Sequence, residues 1–238
     1  MSRWRAALPL LLLVAAGIVL VASGALDRFH PANLLADRHG LKASIAEHPW
    51  LSRLAYIGLL TMAVSTGVPG TVVIIFAGGL LFGVVDGTIY SSVALTLGSL
   101  LLYLASRYAF GGGTRPAPPL VARLRHGFAS HPVSYTLALR FIPVMPFGAM
   151  TVGLAWLRCP LWLFLGATWL GGTVSLIFET SVGAGLGEAL RNGREFGFGL
   201  LLDRHILLPL GALALLALMP LAFNALRARM MARRAHRD

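Results

Sequence analysis

Two charged residues stand inside long apolar runs, where charge is expensive. Arg140 opens the string RFIPVMPFGAMTVG, Arg140 to Gly153, with Leu137, Ala138 and Leu139 before it and Leu154, Ala155 and Trp156 after it. Surrounded by lipid, an arginine costs roughly 2.5–3.5 kcal/mol on insertion scales. Its guanidinium stays charged and can grip a phosphate through two parallel hydrogen bonds. The competing role is structural, tying broken backbone carbonyls together. Glu179 is the one acid deep in an apolar run. It could pair with Arg140, titrate during transport, or serve as a neutral, hydrogen-bonded structural group. Pro143 and Pro146 each remove a backbone donor and forbid a regular helix through the string. Pro69 and Gly70 break a second apolar run in the same way. Broken backbone at membrane depth survives only where protein buries it or water reaches it. Arg140, Glu179, Pro143, Pro146, Pro69 and Gly70 are therefore read as a substrate-binding or transport set lining a polar cavity.

The elements that must position this set follow from run lengths. About 20 residues cross a bilayer core. Leu8–Leu26 is long enough for a first span, with a cleaved signal peptide as its rival. Asp27–Trp50 is polar, either a loop or an interfacial helix over Ala32–Glu47. Leu51–Gly67 stops short, and Val72–Phe82 resumes after the Thr66–Gly70 break. Two short arms about a break predict a re-entrant hairpin; one kinked span is the alternative. Asp86–Phe110 is a span, Thr114–His131 a basic connector, and Val133–Leu157 a second hairpin. Pro160–Gly187 and His205–Leu226 are further spans, followed by a tail of five arginines. Gly78, Gly79, Gly83, Gly153 and Gly166 are expected where backbones approach closely. The predicted fold is an all-α integral membrane protein with about four spanning helices and two opposed re-entrant helical hairpins in an inverted repeat. The predicted division is a first span and polar loop (1–50), a core with both hairpins (51–187), and a polar loop, last span and basic tail (188–238).

Composition agrees with that class. The 238 residues are 57% apolar and 12% charged, against roughly 25% charged in soluble domains. The net charge of +11 sits in loops and tail, so anionic lipid headgroups are the expected partner and nucleic acid is not. A single cysteine, Cys159, excludes an internal disulfide. Seven scattered histidines form no i, i+4 pair, so no metal site and no cofactor are expected. With the first span running inward to outward, twelve basic residues lie inside and seven outside. That excess puts both termini in the cytoplasm.

Val68-Pro69-Gly70 with Ala77-Gly78-Gly79-Leu80-Leu81-Phe82-Gly83 resembles the first half of the DedA / SNARE-associated Golgi protein family, the VTT domain. Arg140-Phe141-Ile142-Pro143-Val144-Met145-Pro146-Phe147, then Gly153 and Gly166, resembles its second half. The resemblance runs from about Leu51 to Gly187. It implies a bacterial inner-membrane protein that moves phosphate-bearing lipid, a polyprenyl phosphate or a phospholipid. Many DedA members carry an acid before the first proline break, where this chain has Ser65-Thr66-Gly67-Val68. They often carry a proline after the position of Gly172, where Phe178-Glu179-Thr180 stands here. The first departure places the chain nearer the Golgi-protein branch.

The expected function is thus a lipid transporter or scramblase, with anionic phosphate headgroups as cargo and oligomers allowed. The alternatives are a proton- or ion-coupled small-solute exchanger and a non-transporting membrane scaffold. No nucleophile–base pair or nucleotide motif points to an enzyme.

Overall fold

A computed structural model describes residues 3–24, 38–68, 70–110, 119–141 and 146–191, all of them helical or in short turns. The helices are α1 (Arg3–Ala22), α2 (Arg38–Glu47), α3 (Pro49–Thr66), α4 (Thr71–Phe110), α5 (Pro119–Ser130), α6 (Pro132–Phe141), α7 (Phe147–Trp156) and α8 (Leu161–Arg191).

Glycines end and bend the first half. Proline suits the first turn of α3, whose missing partner N–H costs nothing there. Gly67, with φ 68°, ends α3 in the left-handed conformation. Residues 71–82 then return alongside α3, with Gly78 packed on the Tyr56 hydroxyl. Gly83, with φ 83° and ψ −177°, reverses the chain again inside α4. A Cβ on Gly87 would lie 2.9 Å from the carbonyl oxygen of Gly78. In a straight helix those residues would be about 13 Å apart. The long arm, 84–110, then climbs beside α3: Tyr56 bonds Ser91 at 2.7 Å, and Gly98 meets Thr61 and Val64.

The second half repeats this plan upside down. Helix α8 runs antiparallel to the long arm, with Phe164 stacked on Tyr103, Thr173 bonded to Ser92 at 2.8 Å and Thr180 to Thr88 at 2.7 Å. Helix α6 descends beside the start of α8, from Thr136 at Cys159 to Arg140 at Gly171. Helix α7 climbs back, from Gly148 against Leu102 to Trp156 stacked on Phe110. The turn into α8 contains Arg158 with φ 56°, the counterpart of Gly83. Each half is therefore arm, break, arm, left-handed turn and long helix, in opposite directions. Within 51–157, α3 with residues 71–82 and α6 with α7 are two pairs of oppositely directed helices.

Two helices, Thr71–Phe110 and Leu161–Glu188, are long and apolar enough to cross a membrane. Val85, Ile89, Val93, Leu97, Leu101, Leu104 and Tyr108 form an exposed stripe along the long arm. Such a stripe is rare on a water-exposed surface, and the fold is consistent with a membrane protein. Helix α1 starts before the expected span and stops at Ala22, with an apolar stretch of Leu8–Ala22. It packs on the bundle through Gly17 against Thr66. The basic connector contains the helix α5, and only Arg38–Glu47 of the interfacial segment lies in a described helix. The expected last span, 205–226, lies outside the described residues.

Candidate functional site

The two helix pairs touch at one point. Gly67 ends the first arm of one hairpin and Gly148 begins the second arm of the other, and a Cβ on Gly148 would sit 3.4 Å from the Gly67 Cα. Beside this contact is a cavity of about 400 Å3. Gly70 and Thr71 line it from the first hairpin, Arg140 and Pro146 from the second, and Ser175 and Glu179 from α8. Both charges that the sequence places in apolar runs thus line one chamber.

Arg140 is held at three points. Its guanidinium lies over the Phe147 ring at 4.4 Å and the Phe164 ring at 4.9 Å. Its Nη1 donates to Thr151 Oγ1 at 3.3 Å. Thr151 gives its own proton to the Phe147 carbonyl at 3.0 Å, which leaves its oxygen free to accept. Gly171 makes room: a Cβ there would lie 3.1 Å from the Arg140 Cβ. Nε and Nη2 are buried and, among the described residues, have no hydrogen-bond partner. These two groups form one edge of the fork, the geometry that accepts two oxygens of a phosphate or carboxylate.

Glu179 does not satisfy that edge. Its Oε2 is also buried without a partner among the described residues, and no hydrogen bond or ion pair joins it to Arg140. The direct pairing considered from sequence is therefore absent, because Arg140 is turned toward Phe147, Phe164 and Thr151. Among the described residues, no group of three or more metal-ligating side chains occurs.

The remaining expected positions divide by what surrounds them. Pro146 precedes α7 and lines the cavity, as does Gly70 with φ 98°. Pro69 and Pro143 lie outside the described residues. Gly78 and Gly79 do permit close approach: a Cβ on Gly79 would overlap the carbonyl of Thr180. Gly83 acts through its backbone conformation instead, with nothing near it. Gly153 and Gly166 need correction, since a Cβ at either meets nothing within 4 Å. Arg107 donates to the Tyr103 hydroxyl at 2.7 Å and the Cys159 carbonyl at 3.3 Å, holding the α7–α8 turn.

Sequence reasoning missed Gly183, whose Cβ would overlap the carbonyl of Phe76, and the Thr88–Thr180 and Ser92–Thr173 bonds. The hydroxyls recurring in both long runs were the available signal. It also missed Thr151, Phe147 and Phe164 as the cradle of Arg140.

Arg140 and Glu179 line one cavity between the α3–α4 and α6–α7 helix pairs. Comparison with protein families matches the VTT domain to residues 68–185. The chain belongs to the VTT-domain family, that of the DedA and SNARE-associated Golgi proteins. The VTT domain covers about half the chain, from the first hairpin break into α8, and includes Arg140 and Glu179. Helix α3, which supplies Gly67 to the cavity, precedes it. Comparison with curated proteins and with solved structures finds no match.

Proposed function

We propose that this VTT-domain protein moves a phosphate-bearing lipid between membrane leaflets through the chamber between its two hairpins. The observation that carries the reading is Arg140, which lines the chamber and whose Nε and Nη2 are matched by no described residue. Leaving a buried charged donor unmatched is costly, on the order of 1–3 kcal/mol or more. An anionic oxygen pair would satisfy it, and a lipid phosphate supplies one. In this reading the hairpins are re-entrant, their breaks placed at membrane depth where they line the cavity. The headgroup passes through the chamber while the tails stay in lipid. The chain acts as a transporter or scramblase and not as an enzyme.

The charge distribution supports an orientation. Arg107, Arg158 and α5, with Arg123 and Arg125, lie at the same end of the bundle, while Arg53 lies at the other. Helix α1 descends from the first end, since Gly17 meets Thr66 and Leu20 packs on the cluster around Tyr56. The more basic end is then cytoplasmic, in a bacterial inner membrane.

The test is reconstitution in liposomes with labelled phosphate lipids. Arg140→Ala should slow lipid movement on the order of 10- to 100-fold, the loss of one or two charge-assisted hydrogen bonds. Arg125→Ala, an exposed arginine of α5, should not. Equal rates in the two variants would reject the reading. Ion flux without lipid movement would favour the exchanger, for which the buried Oε2 of Glu179 is the supporting observation.

A further inference from the structure

The chamber is closed toward both ends of the bundle by different devices. Toward the Arg53 end, Gly79 and Gly183 bring residues 76–79 of α4 onto 180–183 of α8, backbone to backbone, and the Thr88–Thr180 bond reinforces the seam. Toward the Arg107 end, the Arg140 guanidinium fills the space between Phe147 and Phe164. Beyond it, the Tyr103–Phe164 stack and the Tyr103 and Arg107 bonds to the Cys159 carbonyl close the bundle. The lining residues that remain exposed are Gly67, Gly70, Val72, Pro146 and Ser175. They belong to both hairpin breaks, the returning arm of α4 and the middle of α8. Val72 is 44% exposed although it lines the cavity.

The level of this rim decides what it faces. Ser175 lies about 21 Å along the axis from Leu161 and about 24 Å from Arg191, at 1.5 Å per residue. It sits near the midpoint of α8, a helix of 31 residues and about 46 Å. A hydrocarbon core of about 30 Å centred on that helix leaves the rim roughly 15 Å from either headgroup layer.

We infer that the chamber opens sideways, through a mouth at Val72 and Ser175, into the hydrocarbon and not into water at either face. Its ligand is an amphiphile whose polar head turns in from the lipid while its chains remain outside. A mouth level with the bilayer midplane is equally distant from both leaflets. One polar site can then receive heads from either side without the chains crossing the protein. This rests on the lipid reading above for the cargo, but the mouth itself is a property of the fold.

The test separates the two. A nitroxide spin label is placed on Val72→Cys in a Cys159→Ser background, reconstituted in phosphatidylglycerol–phosphatidylcholine vesicles, and read by power saturation. The label should be relaxed strongly by oxygen, which partitions into hydrocarbon, and weakly by a water-soluble nickel chelate. A label on Arg125→Cys should show the reverse. Nickel accessibility at position 72 equal to that at 125 means a water-filled opening and overturns the inference; so does protection from both reagents. Separately, Ser175→Trp should lower lipid movement at least tenfold, while Gly166→Trp, at an exposed position with open space around it, should leave it within about twofold. An unhindered Ser175→Trp protein also overturns the mouth. Should the unmodified protein move no lipid, the proposed function fails while the accessibility pattern at Val72 still decides the mouth.

Discussion

At the residue scale, Arg140 is prepared on its faces and one nitrogen and left unmatched on one edge. Phe147 and Phe164 cover the flat faces, and Thr151 takes Nη1. Lysine would keep the charge but lose both the stacking and the fork. Arg140→Lys is therefore expected to recover only part of the lipid movement lost in Arg140→Ala, measured in the same vesicles. Glu179 lines the same chamber as Arg140. If it takes up and releases a proton during transport, Glu179→Gln makes the rate independent of pH. An unchanged pH profile removes that role. Both residues were legible in the sequence because charge within an apolar run is rare. Their separate partners were not, since Thr151, Phe147 and Phe164 are ordinary residues for an apolar segment and only the fold brings them to Arg140.

At the element scale, the two hairpins and long helices could be read from run lengths and Gly/Pro breaks, because a chain in lipid must satisfy its backbone locally. Glycine roles could not be read, because a glycine in a helix looks the same whether it faces a neighbour or open space. The structure divides them. Gly79→Val and Gly183→Val push a side chain into an opposing carbonyl. Each should destabilise the protein by about 1–3 kcal/mol, seen as a lower thermal midpoint in detergent. Gly153→Ala and Gly166→Ala fill unoccupied space within helices, and should instead stabilise by roughly 0.5–1 kcal/mol. Arg107 shows the same limit. Nothing in its place near a helix end points to the carbonyl 52 residues away that it bonds.

At the scale of the whole molecule, the two helix pairs come from opposite ends of the bundle and touch. That contact joins the halves at Gly67 and Gly148. With Cα and Cβ this close, the paired substitutions Gly67→Cys and Gly148→Cys are expected to form a disulfide under mild oxidation. Gel mobility before and after reduction, with protease cleavage in the 111–118 segment, would reveal it. Failure to cross-link would place the breaks further apart than one chamber allows. The inverted plan was visible in the sequence only as an echo of markers, because the spacings of Pro69, Gly78 and Gly83 differ from those of Pro143, Pro146 and Gly153. What the halves share is direction reversal, and that is carried by Gly83 and Arg158, two residue types that do not align by composition.

The seam made by Gly79 and Gly183 has a mechanical consequence. It fastens the returning arm of the first half to the long helix of the second, carbonyl against α-carbon, with no side chains between to slide or rotate. A motion that swings one half as a block against the other would have to tear this seam. The natural moving parts are therefore not the two halves. Residues 71–82 travel with α8 as one strut, and any widening of the chamber must come from α3, α6 and α7 shifting around it.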